Sequence, residues 1–130
     1  GKPFTANLPR EASSLYPHAQ QFGLVIDRDA LSERISIRVE RMWEQGLVAE
    51  VEKLMIAGIT QGVTAQRALG YAQVIAQIEG KVTEEEAKEE TKRATRQYAR
   101  RQETWFSRDE RITWISPTQN ALQRILESIN

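Results

Sequence analysis

One long polar helix constrains the fold of this chain more than any other feature of its sequence. Thr83 and Glu86 form a capping box, which starts a helix that we expect to continue to about Phe106. Residues 84–90 carry five Glu and one Lys, whereas residues 92–111 carry seven Lys or Arg against three acids. The helix is therefore acidic at its start and basic at its end, although the whole chain has no net charge.

The basic end of this helix has the composition of a surface that binds anions. Arg93, Arg96 or Gln97, and Arg100 fall on one face at 3.6 residues per turn, and Arg101 lies about a quarter-turn away. A thin apolar stripe is expected to dock the helix on the rest of the protein; its members are Ala94, Tyr98 and Trp105. Arginines with interleaved aromatic rings suit nucleic acid. The alternative is a solvated face whose cations complement the helix dipole.

Composition restricts the chemistry and the compartment. The chain has 130 residues, enough for one domain, and contains no cysteine, which excludes disulfides and thiolate zinc sites. His18, the only histidine, is predicted to be a surface loop residue, so a cluster of histidine metal ligands is excluded. No apolar run reaches membrane-spanning length and no signal-peptide pattern is present. We therefore expect a cytoplasmic protein without a membrane association.

The remaining pattern predicts a mainly α-helical chain with two short strands. Residues 1–19 resemble an irregular leader or linker, and residues 20–130 form the helical part. The expected strands cover residues 21–26 and 112–115. The expected further helices cover residues 30–45 after Asp29, 47–57, 65–79 after Thr64 as the cap, and 120–129. Two short strands that are distant in sequence cannot form a stable sheet alone. The chain is therefore expected to be part of a larger α/β protein.

The first of these helices carries a row of arginines. Arg34, Arg38 and Arg41 lie beside its apolar stripe of Leu31, Ile35, Val39 and Met42. A strand followed by such a helix can cover a phosphate group. Pairing within the helix with Glu33, Glu40 and Glu44 is the alternative, and the residues alone favour it.

Four motifs give the chain a resemblance to a known family. They are, in order, Leu31-x-x-Arg34-Ile35-x-x-Arg38-Val39-x-x-Met42, Gly46-Leu47-x-x-Glu50-Val51, Arg67-Ala68-Leu69-Gly70-Tyr71 and Thr95-Arg96-Gln97-Tyr98-Ala99-Arg100-Arg101-Gln102-x-Thr104-Trp105-Phe106. In this order and spacing they resemble the C-terminal part of the bacterial tRNA dimethylallyltransferases, also called isopentenyl-pyrophosphate:tRNA transferases. The resemblance covers nearly all of residues 20–116.

The resemblance implies an enzyme that transfers a dimethylallyl group from dimethylallyl diphosphate to N6 of the adenosine beside the tRNA anticodon, with Mg²⁺ assisting. It implies an α/β fold similar to P-loop-containing nucleoside triphosphate hydrolases, active as a monomer, with the target base flipped into a channel. By position, Arg38 is implied to act on the diphosphate as the catalytic residue of this chain. The residues implied to bind tRNA are Arg67, Gly70, Tyr71, Arg96, Gln97, Arg100, Arg101, Gln102, Thr104 and Trp105.

The chain also departs from the family pattern. No G-x-x-x-x-G-K-[ST] phosphate-binding loop is present in the sequence, so the resemblance implies that Mg²⁺ binds to a part that this chain lacks. Neither a cofactor site nor a metal site is expected within these residues. Ser107 stands where the family often has a basic residue, which implies one phosphate contact fewer. We therefore expect a C-terminal fragment that is inactive alone.

Two other functions stay open at this point. The chain could be a stand-alone helical module that binds RNA, in which case it would bind tRNA without any further domain. It could instead be a protein-interaction domain with tryptophan anchors at Trp43, Trp105 and Trp114. Neither alternative accounts for the spaced Arg38, Gly70-Tyr71 and arginine–glutamine motifs together.

Overall fold

A computed structural model describes residues 18–62, 64, 68–117 and 120–129. In chain order the elements are β1 (Gln21–Leu24), α1 (Arg28–Glu44), α2 (Leu47–Ile56), a 3₁₀ turn (Ile59–Gln61), α3 (Tyr71–Ile78), α4 (Glu84–Phe106), β2 (Ile112–Ile115) and α5 (Ala121–Ile129). The prediction of a mainly α-helical chain with two short strands is confirmed. Most of the predicted leader, residues 1–17, lies outside the described residues.

The two strands pair with each other in parallel, with Gln21 opposite Ile112 and Leu24 opposite Ile115. β1 ends two residues earlier than predicted, although the Val25 N–H still donates to the Ile115 carbonyl at 2.9 Å. Gly23 faces Trp114 in this register, and a Cβ on Gly23 would lie 2.5 Å from the indole ring. The glycine therefore leaves the space that the Trp114 ring occupies.

The core is built where α1, α2, α3 and α4 meet. Each residue of the core has less than a tenth of its surface exposed to solvent; these residues are Ile35, Val39, Trp43, Leu47, Val51, Val74 and Ala87. The predicted inner face of α1 is confirmed at Ile35 and Val39, while Leu31 and Met42 are partly buried at the edge. Burial of these side chains supplies the main stabilisation of the helical unit.

Trp43 is a core residue, so it cannot be one of the anchors that the alternative of a protein-interaction domain would require. Only 7% of its surface is exposed, and its Nε1–H donates to Oε1 of Gln77 at 2.9 Å. It lies four residues after Val39 on the same helix face, where an apolar side chain turns inward. The polar indole nitrogen is satisfied inside the protein, as a buried tryptophan requires.

Two helix starts differ from the prediction. α1 begins before Asp29, because Oδ1 of Asp27 accepts hydrogen bonds from the N–H groups of Asp29 and Ala30 at 2.9 and 3.0 Å. α3 begins only at Tyr71, since Thr64 lies in a turn and Gly70 has a φ of +94°, which a continuing right-handed helix does not allow.

The long helix α4 follows the predicted bounds but docks through a different face. Thr83 and Glu86 close the capping box, with the Thr83 N–H donating to Oε2 of Glu86 at 2.8 Å. Ala87 and Thr91 are buried against the other helices, and α4 packs on α1 and α3. Tyr98 and Trp105 are more than half exposed, so the predicted apolar docking stripe is wrong. Small side chains let the helices approach, and the aromatic rings stay on the surface.

Candidate nucleic-acid interface

The arginine row of α1 lies on the surface and lines a shallow groove of about 590 Å³. Arg34, Arg38 and Arg41 lie there with Ile37, Met42 and Gln45. In the described part of the chain, no carboxylate lies within ion-pair distance of any of these three arginines. The pairing within the helix that the residues alone favoured is therefore wrong, and three guanidinium groups face solvent together.

Glu40 does not face these arginines, because spacings of one, two or six residues do not bring side chains together on a helix, and it contacts α4. Its Oε1 lies 2.7 Å from Nζ of Lys92, and its Oε2 lies 3.3 Å from Nζ of Lys88. The hydrogen bond from Lys92 lowers the pKa of Glu40, with Lys88 adding to the effect. Glu40 in turn raises the pKa of Lys92, whose stem is buried between the helices. This carboxylate belongs to the helix interface and not to the groove.

The basic end of α4 presents its predicted tRNA-binding side chains to solvent. The exposed members of this set are Gln97, Arg100, Arg101, Gln102, Thr104 and Trp105. Arg93 is different, because its guanidinium forms an ion pair with Glu90 at 2.6 Å. A run of exposed donors along two turns of helix can contact successive phosphates of a nucleic-acid backbone.

Arg96 is the one partly buried member of the predicted set on α4. Its Nε–H donates to Oγ of Ser32 at 2.8 Å, and its Nη2 donates to Oγ of Ser36 at 3.0 Å. Both serines belong to α1, so the guanidinium joins the two helices. Arg96 also lines a second groove. Ser32 and Ser36 were not predicted as partners of Arg96, although their spacing of four residues places them on one face of α1.

A second groove of about 670 Å³ separates the basic end of α4 from the start of α1 and the carboxyl ends of the strands. Its walls combine cations with exposed apolar side chains; among the lining residues are Leu24, Val25, Arg96, Arg100, Phe106 and Trp114. In α/β proteins, ligands bind in the crevice outside the carboxyl ends of parallel strands. Arginines beside aromatic rings in such a crevice suit a nucleotide.

The third predicted segment is the turn at Gly70 and Tyr71. The Gly70 N–H donates to Oε1 of Gln73 at 3.1 Å, and a Cβ on Gly70 would lie 3.4 Å from Cε of Met42. Because Met42 also lines the arginine groove, the turn lies next to that groove. Arg67 of the same predicted segment lies outside the described residues.

Helix α1 therefore brings the predicted site residues together along its length. The basic end of α4 contacts its first half, the arginine groove occupies its middle, and the Gly70–Tyr71 turn lies beside its last turns. Among the described residues, no group of three or more His, Cys, Asp or Glu side chains could hold a metal ion. None of the helices in the described ranges is long and apolar enough to cross a membrane.

A comparison with protein families decides the affiliation. The family model described as IPP transferase matches residues 1–109. The chain belongs to the IPP transferase family. A tRNA dimethylallyltransferase from Thermobifida fusca (strain YX) is 58% identical over 115 residues, which cover 88% of this chain and 35% of that protein. One from Kineococcus radiotolerans is 49% identical over 132 residues, covering 98% of this chain and 41% of that protein.

Solved structures of IPP transferases share the fold of this chain. A full-length tRNA isopentenylpyrophosphate transferase from Bacillus halodurans gives a TM-score of 0.76 at 38% identity, over 87% of this chain and 37% of that one. The tRNA delta(2)-isopentenylpyrophosphate transferase from Staphylococcus epidermidis gives 0.73 at 34% identity, over 84% and 35%. The chain thus spans little more than a third of these relatives, and the resemblance found in its motifs is confirmed.

Proposed function

We propose that this chain works as the C-terminal part of a tRNA dimethylallyltransferase, called the full-length transferase below. That enzyme would transfer a dimethylallyl group from dimethylallyl diphosphate to N6 of the adenosine beside the anticodon. The observation that carries the proposal is the set of three unpaired arginines on α1, placed between the basic end of α4 and the Gly70–Tyr71 turn. The names of the relatives support the same reaction, and the comparisons do not favour a stand-alone binding module.

Arg38 is proposed to bind the diphosphate. In the reaction N6 of adenosine forms a bond to C1 of the dimethylallyl group, and the bond from C1 to the diphosphate oxygen breaks with its electron pair staying on that oxygen. The N6 amine loses one proton, which a base in the rest of the full-length transferase would accept. A guanidinium at this oxygen stabilises the charge that develops on the leaving group. Mg²⁺, bound by the rest of the full-length transferase, would neutralise diphosphate charge as well. Arg34 and Arg41 add to the positive field of the groove.

The tRNA is proposed to lie along the exposed end of α4 and across the second groove towards the Gly70–Tyr71 turn. Its proposed contacts are Arg67, Gly70, Tyr71, Arg96, Gln97, Arg100, Arg101, Gln102, Thr104 and Trp105. Arginine forks bind phosphates through two hydrogen bonds, and these contacts position the backbone without reading its sequence. We also propose a monomeric, cytoplasmic enzyme, as the resemblance to the family implies.

Transfer of a labelled dimethylallyl group to tRNA tests the proposal. The full-length transferase should label N6 of the adenosine beside the anticodon, whereas the 130-residue chain alone should label nothing, because it lacks a phosphate-binding loop. Absence of transfer by the full-length transferase would refute the proposed reaction. Transfer by the isolated chain would refute the proposal that this chain needs the rest of the full-length transferase for activity.

A further inference from the structure

A hydrogen bond between two helices holds the side chain of Tyr71. The phenol O–H of Tyr71 donates to Oε1 of Glu50. Glu50 lies in the first turn of α2 and Tyr71 is the first residue of α3, so the bond crosses from one helix to the next. Neither the arginine groove nor the diphosphate chemistry involves Glu50.

Both ends of this bond are fixed by the core. Leu47 and Val51, on either side of Glu50 along α2, are buried. Gly70, which precedes α3, is buried, and Val74 on α3 is fully buried. Glu50 is exposed, and Tyr71 is half-buried against the core. The bond can therefore fix the orientation of the Tyr71 side chain against a rigid scaffold, which is what a precise binding contact needs.

We propose that Glu50 is a positioning residue for tRNA binding, which it serves by fixing the phenol of Tyr71 and with it the Gly70–Tyr71 turn. This rests on the proposed function, in which that turn contacts tRNA.

The hydrogen bond from Tyr71 to Glu50 also limits which groups of the RNA the phenol can contact. The single O–H of Tyr71 is occupied, so the phenol oxygen can only accept, and phosphate oxygens offer it no donor. Its partner on the RNA is therefore a donor, either a ribose 2′-OH or a base N–H.

The carboxylate also keeps the phenol protonated, because the hydrogen bond from Tyr71 to Glu50 raises the pKa of Tyr71. Titration of this one tyrosine, followed by NMR of ¹³C-labelled tyrosine in the full-length transferase, reports the contact without any tRNA. In Glu50→Ala the Tyr71 signal should titrate at lower pH than in the unmodified enzyme, while the other tyrosine signals stay unchanged. An unshifted Tyr71 signal would overturn the contact and leave the proposed reaction standing.

Steady-state kinetics of the full-length transferase then tests the role in binding. Glu50→Ala and Tyr71→Phe should each raise KM for tRNA by about fivefold, the scale of one lost hydrogen bond, with kcat and the KM for dimethylallyl diphosphate unchanged. Glu50→Gln keeps an acceptor oxygen and should stay within about twofold of the unmodified enzyme. The double variant Glu50→Ala, Tyr71→Phe should be no worse than either single one.

Glu52→Ala is the matched control, since Glu52 is exposed on the same helix and has no ion pair among the described residues. It should leave KM unchanged. Because the phenol does not meet phosphate, the salt dependence of tRNA binding should also be the same in Tyr71→Phe and in the unmodified enzyme. A flattened salt dependence, additive effects in the double variant, or a KM unchanged in Glu50→Ala would each overturn the proposal.

Discussion

Nζ of Lys92 on α4 lies 2.7 Å from Oε1 of Glu40 on α1. This pair, completed by Lys88, joins the two longest helices of the described chain. Glu40 does not face the α1 arginines, because it lies one residue from Arg41, two from Arg38 and six from Arg34, and these spacings do not bring side chains together on a helix. Lys92 thus stabilises the helix interface, and in the described part of the chain the three arginines of the groove have no carboxylate partner.

Glu40→Gln should lower the free energy of unfolding of the chain at neutral pH by about 0.5 to 1 kcal/mol, a value kept small because the carboxylate is partly exposed and screened by solvent. The lysines lower the pKa of Glu40 in the folded state below its ordinary value of 4.5, so its contribution is present above pH 4.5 and is lost as the pH falls below that value. The free energy of unfolding of the variant should therefore fall less steeply than that of the unmodified chain as the pH is lowered. Denaturation followed by tryptophan fluorescence across this range measures the effect.

Glu44→Gln is the control for this experiment, since Glu44 is exposed on the same helix and forms no ion pair within the described ranges. Its stability should follow that of the unmodified chain at every pH. If the free energy of unfolding fell equally steeply with pH in Glu40→Gln and in the unmodified chain, the role given to the pair of Glu40 and Lys92 would be contradicted.

Gly70→Ala should destabilise the chain and impair tRNA binding, because Gly70 has a φ of +94° and an added methyl group would lie 3.4 Å from Met42. Gly46 offers a matched control, with a φ of +95° and open space around the added carbon. The backbone cost is about 1 to 2 kcal/mol at Gly46, which lies in the left-handed helical region. It is larger at Gly70, whose ψ of −43° lies outside that region. Thermal unfolding should show both losses, and only Gly70→Ala should weaken tRNA binding. Equal tRNA affinities for the two variants would show that the Gly70–Tyr71 turn is not part of the tRNA-binding surface.

Local signals in the sequence predicted those elements whose cause is local. The capping box of Thr83 and Glu86 placed the start of α4 correctly, because both of its hydrogen bonds are made within four residues. The N-cap of α1 was predicted at Asp29 but is Asp27, which has the same capping side chain. The start of α3 was missed because a glycine at positive φ interrupts the apolar periodicity at Gly70. The spacing of four residues between Val39 and Trp43 predicts that Trp43 is buried on the same helix face.

Contacts between distant helices were not predictable from spacing alone. Lys92 belongs to a charged run that is typical of a solvated surface, and only its pairing with Glu40 explains its burial. Whether Arg38 has a carboxylate partner depends on every side chain around it, so the choice between pairing within the helix and anion binding needed the structure. Arg96 was predicted only as a tRNA contact, and its hydrogen bonds to Ser32 and Ser36 join residues that are 64 and 60 positions apart in the sequence.

Arg38→Ala in the full-length transferase should reduce kcat by about 100-fold or more, the usual scale for losing one group that stabilises charge in the transition state. Its tRNA affinity should change little, since the groove is proposed to hold the diphosphate. Arg93→Ala, which removes an arginine already paired with Glu90, serves as the control and should keep normal turnover. A normal kcat, or a defect confined to tRNA binding, would remove Arg38 from the reaction.

The dependence of tRNA affinity on salt tests the central claim, that the basic end of α4 binds the tRNA backbone. Arg100 and Arg101 are exposed there, within two turns of Arg96. In the full-length transferase, Arg100→Ala with Arg101→Ala should flatten the slope of log affinity against log salt by roughly 0.7 to 0.9 per lost phosphate contact. Discrimination between cognate and non-cognate tRNA should persist, and Arg93→Ala should leave the slope unchanged. A slope in the double variant equal to that of the unmodified enzyme would contradict the claim, because these arginines would then be only a solvated helix face.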